Sequence, residues 1–173
     1  MTPEEAIKTA LDYENKVYKT YIEAVQNTKD ASAKKFFELM AEEEKSHVEY
    51  LEAKLKEWQK SQKIDASEIA TAIPAASRIT EGLARVKEKL EKAGNHGAFG
   101  TELASLRKAL DAETETSAFY QKMVSELKED AQKLFRRFLE IEEGHKAIVA
   151  AELDAVENNG FWFDFQEYNQ ELD

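Results

Sequence analysis

Glu14, Glu44, His47, Glu113, Glu142 and His145 stand where apolar helical seams should carry leucine. The clearest case is EEEKSHVEYL, residues 42–51. A helix buries positions that recur every three or four residues, and here the apolar series reads Phe37, Met40, then Leu51, Leu55 and Trp58, with Glu44 and His47 filling the gap. The same interruption recurs at Glu142 and His145, between Phe138 and Val149. A glutamate and a histidine three residues apart share one helical face about a turn apart, so the pair can grip one ion from one helix. Glu14 and Glu113 break two further seams in the same way. Burying four carboxylates costs several kcal/mol each unless they are paired, protonated or metal-bound. No core lysine or arginine is placed to pair with all four. Two divalent cations, ringed by four carboxylates and two neutral imidazoles, would balance the charge and satisfy the lone pairs together.

Such a site needs long helices, and the chain is written for them. Two prolines and six glycines leave four long stretches with helical period and almost no strand-like alternation, which predicts an all-α protein. The first helix opens with Thr2, Pro3 and Glu5, runs to about Asn27, and carries the seam Ile7, Leu11, Glu14, Tyr18, Tyr21, Val25. Asp30 is placed to cap a second helix over residues 31–60. A third spans Thr101 to Lys128 with Leu103, Leu106, Leu110, Glu113, Ser117, Tyr120, Val124 and Leu127 on its seam. The fourth, capped by Asp130, carries Phe135, Phe138, Glu142, His145, Val149 and Val156 and stops at NNG after Glu157. Short turns at 28–30 and 129–130 make two helical hairpins, joined by a crossover over residues 61–100 with its own helix around 79–93 and Gly94 as its stop.

The hairpins repeat each other. ALDYE at 10–14 returns as ALDAE at 109–113, Tyr21 answers to Tyr120, and FFELMAEEEKSH overlies LFRRFLEIEEGH once a residue is dropped in the turn. Glu14 then matches Glu113, Glu44 matches Glu142, and His47 matches His145, so a pseudo-twofold site is implied. One glutamate from each of two helices plus Glu-x-x-His from each of the other two is the ligand arrangement of carboxylate-bridged di-iron and di-manganese bundles.

Bulk properties narrow the chemistry. The 173 residues, 42% hydrophobic, suit one domain over 1–159 with an aromatic tail over 160–173. Absence of cysteine removes disulfides, zinc ribbons, thiol catalysis and rubredoxin-type iron sites, so a metal must be held by nitrogen and oxygen. A net charge of -11 opposes nucleic acid and anionic membrane and favours cations. With no long apolar run and no apolar signal core in MTPEEAIKTA, a soluble cytoplasmic protein is expected.

On these residues the chain resembles the rubrerythrin branch of the ferritin-like superfamily over residues 3–157. The resemblance implies a ferritin-like four-helix bundle with a long crossover between helices 2 and 3. It also implies two iron ions per chain, with manganese as the alternative. Glu44 and Glu142 would bridge the metals, Glu14 and Glu113 would be terminal ligands, and His47 and His145 would each ligate one metal. The implied activity is that of a di-iron peroxidase or ferroxidase, an oxidoreductase consuming hydrogen peroxide or dioxygen in oxidative-stress defence. Iron oxidation for storage or delivery, di-manganese catalase chemistry and a non-enzymatic helical interaction module are the alternatives. Rubrerythrins usually carry a further glutamate three residues after the third-helix ligand, where this chain has Thr116; Glu115 points elsewhere, and the ligand set is closer to that of bacterioferritin-type centres. Without a rubredoxin domain, electrons must come from an external donor protein or from substrate iron. A homodimer is expected.

The remaining residues have plainer expectations. Glu42, Glu43, Glu49, Glu140 and Glu143 are read as solvated, and Glu152 as solvated at the bundle end. His96 is a loop residue. Tyr18, Tyr21 and Tyr120 are expected to pack the core, with hydrogen bonding to a metal ligand or electron transfer as the alternative. The tail GFWFDFQEYNQELD should pack over the bundle end or a neighbouring subunit, with docking to a larger shell as a further use.

Overall fold

Thr2 opens the first helix as its chemistry requires: its hydroxyl accepts from the Glu5 amide at 3.2 Å while its own amide donates to the Glu5 carboxylate at 2.8 Å. The helix, α1, spans Pro3–Asn27. Asp30 starts α2, Ala31–Ser61, by accepting from the Ala33 amide at 2.8 Å, and Gln62 ends it in the left-handed region with φ 56. Beyond it come α3 (Ala76–Ala93), α4 (Gly100–Glu126) and α5 (Glu129–Asn159). The computed structural model describes residues 1–65, 69–93, 99–160 and 162, and within α3 only the backbone for 85–93. Among the described residues the protein is all-helical, and no helix is long and apolar enough to cross a membrane.

One cap differs from expectation. Asp130 lies inside the first turn of α5 and pairs with Lys133 at 3.0 Å, while Lys128 holds the N-cap position without a side-chain bond. Glu129, at φ 54, turns the chain into the helix before Asp130 is reached. At the other end Gly160 stops α5 as NNG predicts, with φ 68 and its amide bonded to Val156 at 3.1 Å. The helix inside the crossover begins at Ala76, one turn earlier than expected, and Gly94 lies outside the described residues.

α1 packs on α2, α4 on α5, and α1 on α4, while α3 lies against α5. The interior divides into two apolar clusters. One gathers Val17, Phe37, Met40, Leu106, Ile148 and Val156; the other gathers Ile7, Leu51, Met123, Leu134, Phe135 and Phe138. In α1, α2, α4 and α5 the glutamates and histidines of the interrupted seams fall between the residues of the one cluster and those of the other. The segment leading into α3 acts as a strap across two helices. Arg137 of α5 donates to the Ile69 carbonyl at 3.2 Å, the Ala72 amide donates to Glu43 of α2 at 3.0 Å, and the Pro74 carbonyl sits against Gly144 of α5. Ile69 and Ile73 are buried beneath it.

Candidate metal centre

Glu14, Glu44, His47, Glu113, Glu142 and His145 all have 0% of their surface exposed. α1 supplies Glu14, α2 Glu44 and His47, α4 Glu113, and α5 Glu142 and His145. The two imidazoles stack, ring centres 5.2 Å apart and 8° from parallel, and each turns its Nδ1 toward carboxylates. His47 Nδ1 lies 3.1 Å from Glu14, 3.4 Å from Glu142 and 3.5 Å from Glu44. His145 Nδ1 lies 2.7 Å from Glu44, 3.8 Å from Glu142 and 3.9 Å from Glu113. Glu44 and Glu142 thus face both imidazoles, whereas Glu14 faces that of His47 and Glu113 that of His145. Ligand atoms of Glu44, His47, Glu142 and His145 fall within 4.8 Å of one another, and this buried group could hold a metal ion.

Two tyrosines close the ring. Tyr21 of α1 donates its hydroxyl to Glu113 of α4, and Tyr120 of α4 donates to Glu14 of α1, so each half braces the other half's carboxylate. Both rings pack in the core as expected, fully buried, and both also make the hydrogen bond to an acid that was the alternative. Tyr18 is only half-buried, at the margin of the apolar cluster.

Electrostatics follows burial. Desolvation, reinforced by Glu113 and Glu14, pushes the Glu44 carboxyl up to about 7. Desolvation with Glu14 and Glu44 nearby does the same to Glu142, also about 7. Glu113 is raised well above the carboxylate range, by burial first and Glu142 second. Burial would raise Glu14 as well, but the charge and hydrogen bond of His47 outweigh it and leave it low. Burial opposes charge on both imidazoles, yet the facing carboxylates, Glu14 for His47 and Glu44 for His145, hold both well above the usual histidine value. Without an ion, this cluster retains protons to lower its own repulsion.

Even so, Glu44 Oε2, Glu113 Oε2 and both oxygens of Glu142 lack a hydrogen-bond partner. Among the described residues, no lysine or arginine pairs with any of the four acids. Buried carboxylate oxygens converging without donors are what a bound cation would satisfy. No family model, curated protein or solved structure matches the chain.

Two glutamates depart from the solvated reading. Glu152 is fully buried. Glu43 has a side chain only 13% exposed and lies behind His145, its Oε2 3.6 Å from Nε2. Burial opposes its charge, but His145, Thr71 and the Ala72 amide outweigh that and bring it to about 2. In sequence it looked like one more acid in a charged run; the strap that covers it comes from some thirty residues away. Glu115 points outward and pairs with Lys16, and Thr116 is fully buried with its hydroxyl on the Ala112 carbonyl at 2.9 Å. His96 lies outside the described residues, as does most of the tail. Of that tail, Trp162 packs on Phe36 and Phe37 with ring centres 5.7 and 5.5 Å away.

Proposed function

We propose that this chain is a rubrerythrin-like, non-haem di-iron protein of ferritin-like architecture that reduces hydrogen peroxide or dioxygen. The observation that carries the reading is the set of donor-less buried carboxylate oxygens facing two stacked imidazoles. α1, α2, α4 and α5 would be the four bundle helices, and residues 62–99 the long crossover. Glu44 and Glu142 would bridge two ions, since each faces both imidazoles. Glu14 with His47 and Glu113 with His145 would complete the two halves.

When bound and reduced, the iron pair supplies two electrons to the oxidant. With two protons these convert one peroxide into two waters. The protein's own part is geometric and electrostatic. Tyr21 and Tyr120 hold Glu113 and Glu14 in place, and both histidines must carry their proton on Nε2 so that Nδ1 is free to ligate. Phe138 packs against His47, its ring at 82° to the imidazole with centres 5.5 Å apart. Electrons would come from an external donor, and acidic surface charge favours delivery of cations.

A ferroxidase is the second reading, favoured by Thr116: its buried hydroxyl is engaged by Ala112, and the position offers no seventh ligand, a fifth carboxylate. Anaerobic reconstitution with Fe(II), followed by metal analysis and stopped-flow against peroxide and dioxygen, tests both. Two irons per chain are expected, and faster oxidation by peroxide than by dioxygen marks the peroxidase. Glu142→Ala should weaken both ions, because a bridge serves both, whereas His145→Ala should chiefly loosen one. One iron at saturation, located by anomalous scattering away from Glu44 and Glu142, would sink the reading. A chain without metal, gaining no stability from Fe(II), would instead favour the helical interaction module.

A further inference from the structure

The two halves of the cluster match in their ligands but not behind them. Superposing Glu44-x-x-His47 on Glu142-x-x-His145 pairs Glu43 with Ile141. Behind His145, the Glu43 carboxylate lies 3.6 Å from Nε2. It is held there by the strap, with Thr71 donating to Oε2 at 2.5 Å and the Ala72 amide to Oε1 at 3.0 Å. The strap itself is registered on α5 at Gly144, the residue before His145, where the Pro74 carbonyl fills the space a Cβ would need. Behind His47, among the described residues, no carboxylate pairs with Nε2. Neither Nε2 makes a hydrogen bond, but that of His145 has the Glu43 carboxylate beside it, whereas the His47 ring packs at 82° to Phe138 with ring centres 5.5 Å apart, and Ile141 is 3% exposed.

We propose that Glu43 is a positioning residue that makes the two metal positions unequal, so that the His145 half fills first and more tightly than the His47 half. The inference rests on the metal reading above. A carboxylate behind the distal nitrogen favours the tautomer with the proton on Nε2, leaves the Nδ1 lone pair for the ion, and makes the imidazole a stronger donor. At His47 the same proton would have no carboxylate beside it among the described residues. One half is therefore prepared before the ion arrives. The other is organised only as the ion binds, after the shared carboxylates have been drawn in by the first.

Co(II), titrated anaerobically into the whole chain and followed by absorption and paramagnetic proton NMR, tests this. The wild type should bind in two resolved steps. The first equivalent should bring out a shifted imidazole N–H resonance that exchanges slowly with water and disappears in His145→Ala. Glu43→Gln should weaken the first step about 10–100-fold, the usual loss when such a supporting carboxylate is removed, leave the second step nearly unchanged, and make that proton exchange quickly. Thr71→Val, which keeps the carboxylate but removes one anchor, should produce a smaller loss in the same step and guards against a Glu43→Gln chain that fails to fold. Equal filling of both halves, first filling at His47, or equal weakening of both steps by Glu43→Gln would overturn the inference while leaving the metal reading intact. A folded chain that takes up no Co(II) would overturn the metal reading itself.

Discussion

At the scale of residues, position 116 separates the proposed chemistries. Thr116 lies one turn after Glu113, fully buried, with its hydroxyl spent on the Ala112 carbonyl. A rubrerythrin's glutamate there gives one iron an alternative to its histidine as the oxidation state changes; threonine is shorter and neutral. On the di-iron reading proposed above, each iron should therefore keep its histidine in both states, and peroxide should be preferred less strongly than in a rubrerythrin. Thr116→Glu is expected to raise the ratio of peroxide to dioxygen rates in stopped-flow, as a seventh protein ligand becomes available. An unchanged ratio would defeat this, as would reduced and oxidised crystal structures in which a metal of the wild type already shifts on oxidation with Thr116 in place. The pairing of Tyr21 with Glu113 and Tyr120 with Glu14 belongs to the same scale. Each phenol donates to a buried acid of the cluster, and its own ionisation is pushed up by burial first and by that acid second. Both therefore remain donors.

At the scale of elements, the strap from Ile69 to Pro74 is the piece that the helical hairpins alone do not supply. It contacts α2 through Glu43 and α5 through Gly144, beside both Glu-x-x-His pairs. A Cβ added at Gly144 would meet the Pro74 carbonyl oxygen at 2.7 Å, and the obstacle is backbone rather than a flexible side chain. Gly144→Ala thus sets two effects against each other. Alanine is worth about 1 kcal/mol over glycine inside a helix, while overpacking of this kind costs about 1–3 kcal/mol. The clash should win, giving a net loss of stability in denaturant melts with the strap displaced from α5. A variant more stable than the parent would show that the strap yields freely. At the other side of the fold Glu102 of α4 ties the hairpins together, accepting from the Thr28 hydroxyl at 2.7 Å and the Lys29 amide at 3.2 Å in the α1–α2 turn.

For the whole molecule, the central acids make stability depend on pH and on metal. In the metal-free protein Glu44 and Glu142 titrate near 7, above their unfolded value of about 4.5. A group raised on folding contributes stability that is complete below its unfolded pKa and is lost as pH rises through the folded one. Both acids therefore favour the folded chain below about 4.5 and stop doing so as pH rises past about 7. The raised values of His47 and His145 work in the same sense. Glu43, lowered to about 2, acts oppositely, its contribution being lost as pH falls from about 4.5 toward 2. The metal-free chain should accordingly melt higher near pH 5 than near pH 8, as followed by circular dichroism. Bound metal should reverse that preference, since it replaces the protons, and should add about 2.7 kcal/mol at a free concentration 100-fold above its dissociation constant. Equal melting temperatures with and without Fe(II) would argue against a buried site.

Periodicity alone was enough to place the helices and to single out the acids and histidines that break their seams, because a 3.6-residue repeat records directly which side chains face inward. The internal repeat likewise made the matching of Glu14 with Glu113 and of His47 with His145 readable. Sequence could not show what lies behind those ligands. Glu43 and Glu152 sit among exposed acids along the chain, and only packing from distant segments buries them. Asp130 carries a good capping side chain, yet the backbone turn at Glu129 starts the helix before it. The roles of Tyr21 and Tyr120 depend on α1 and α4 being neighbours, as does the strap's grip on Glu43 and Gly144 on the path from α2 into α3. A helical repeat specifies which face turns inward; which groups meet across the interior is a long-range relation that only the tertiary fold decides.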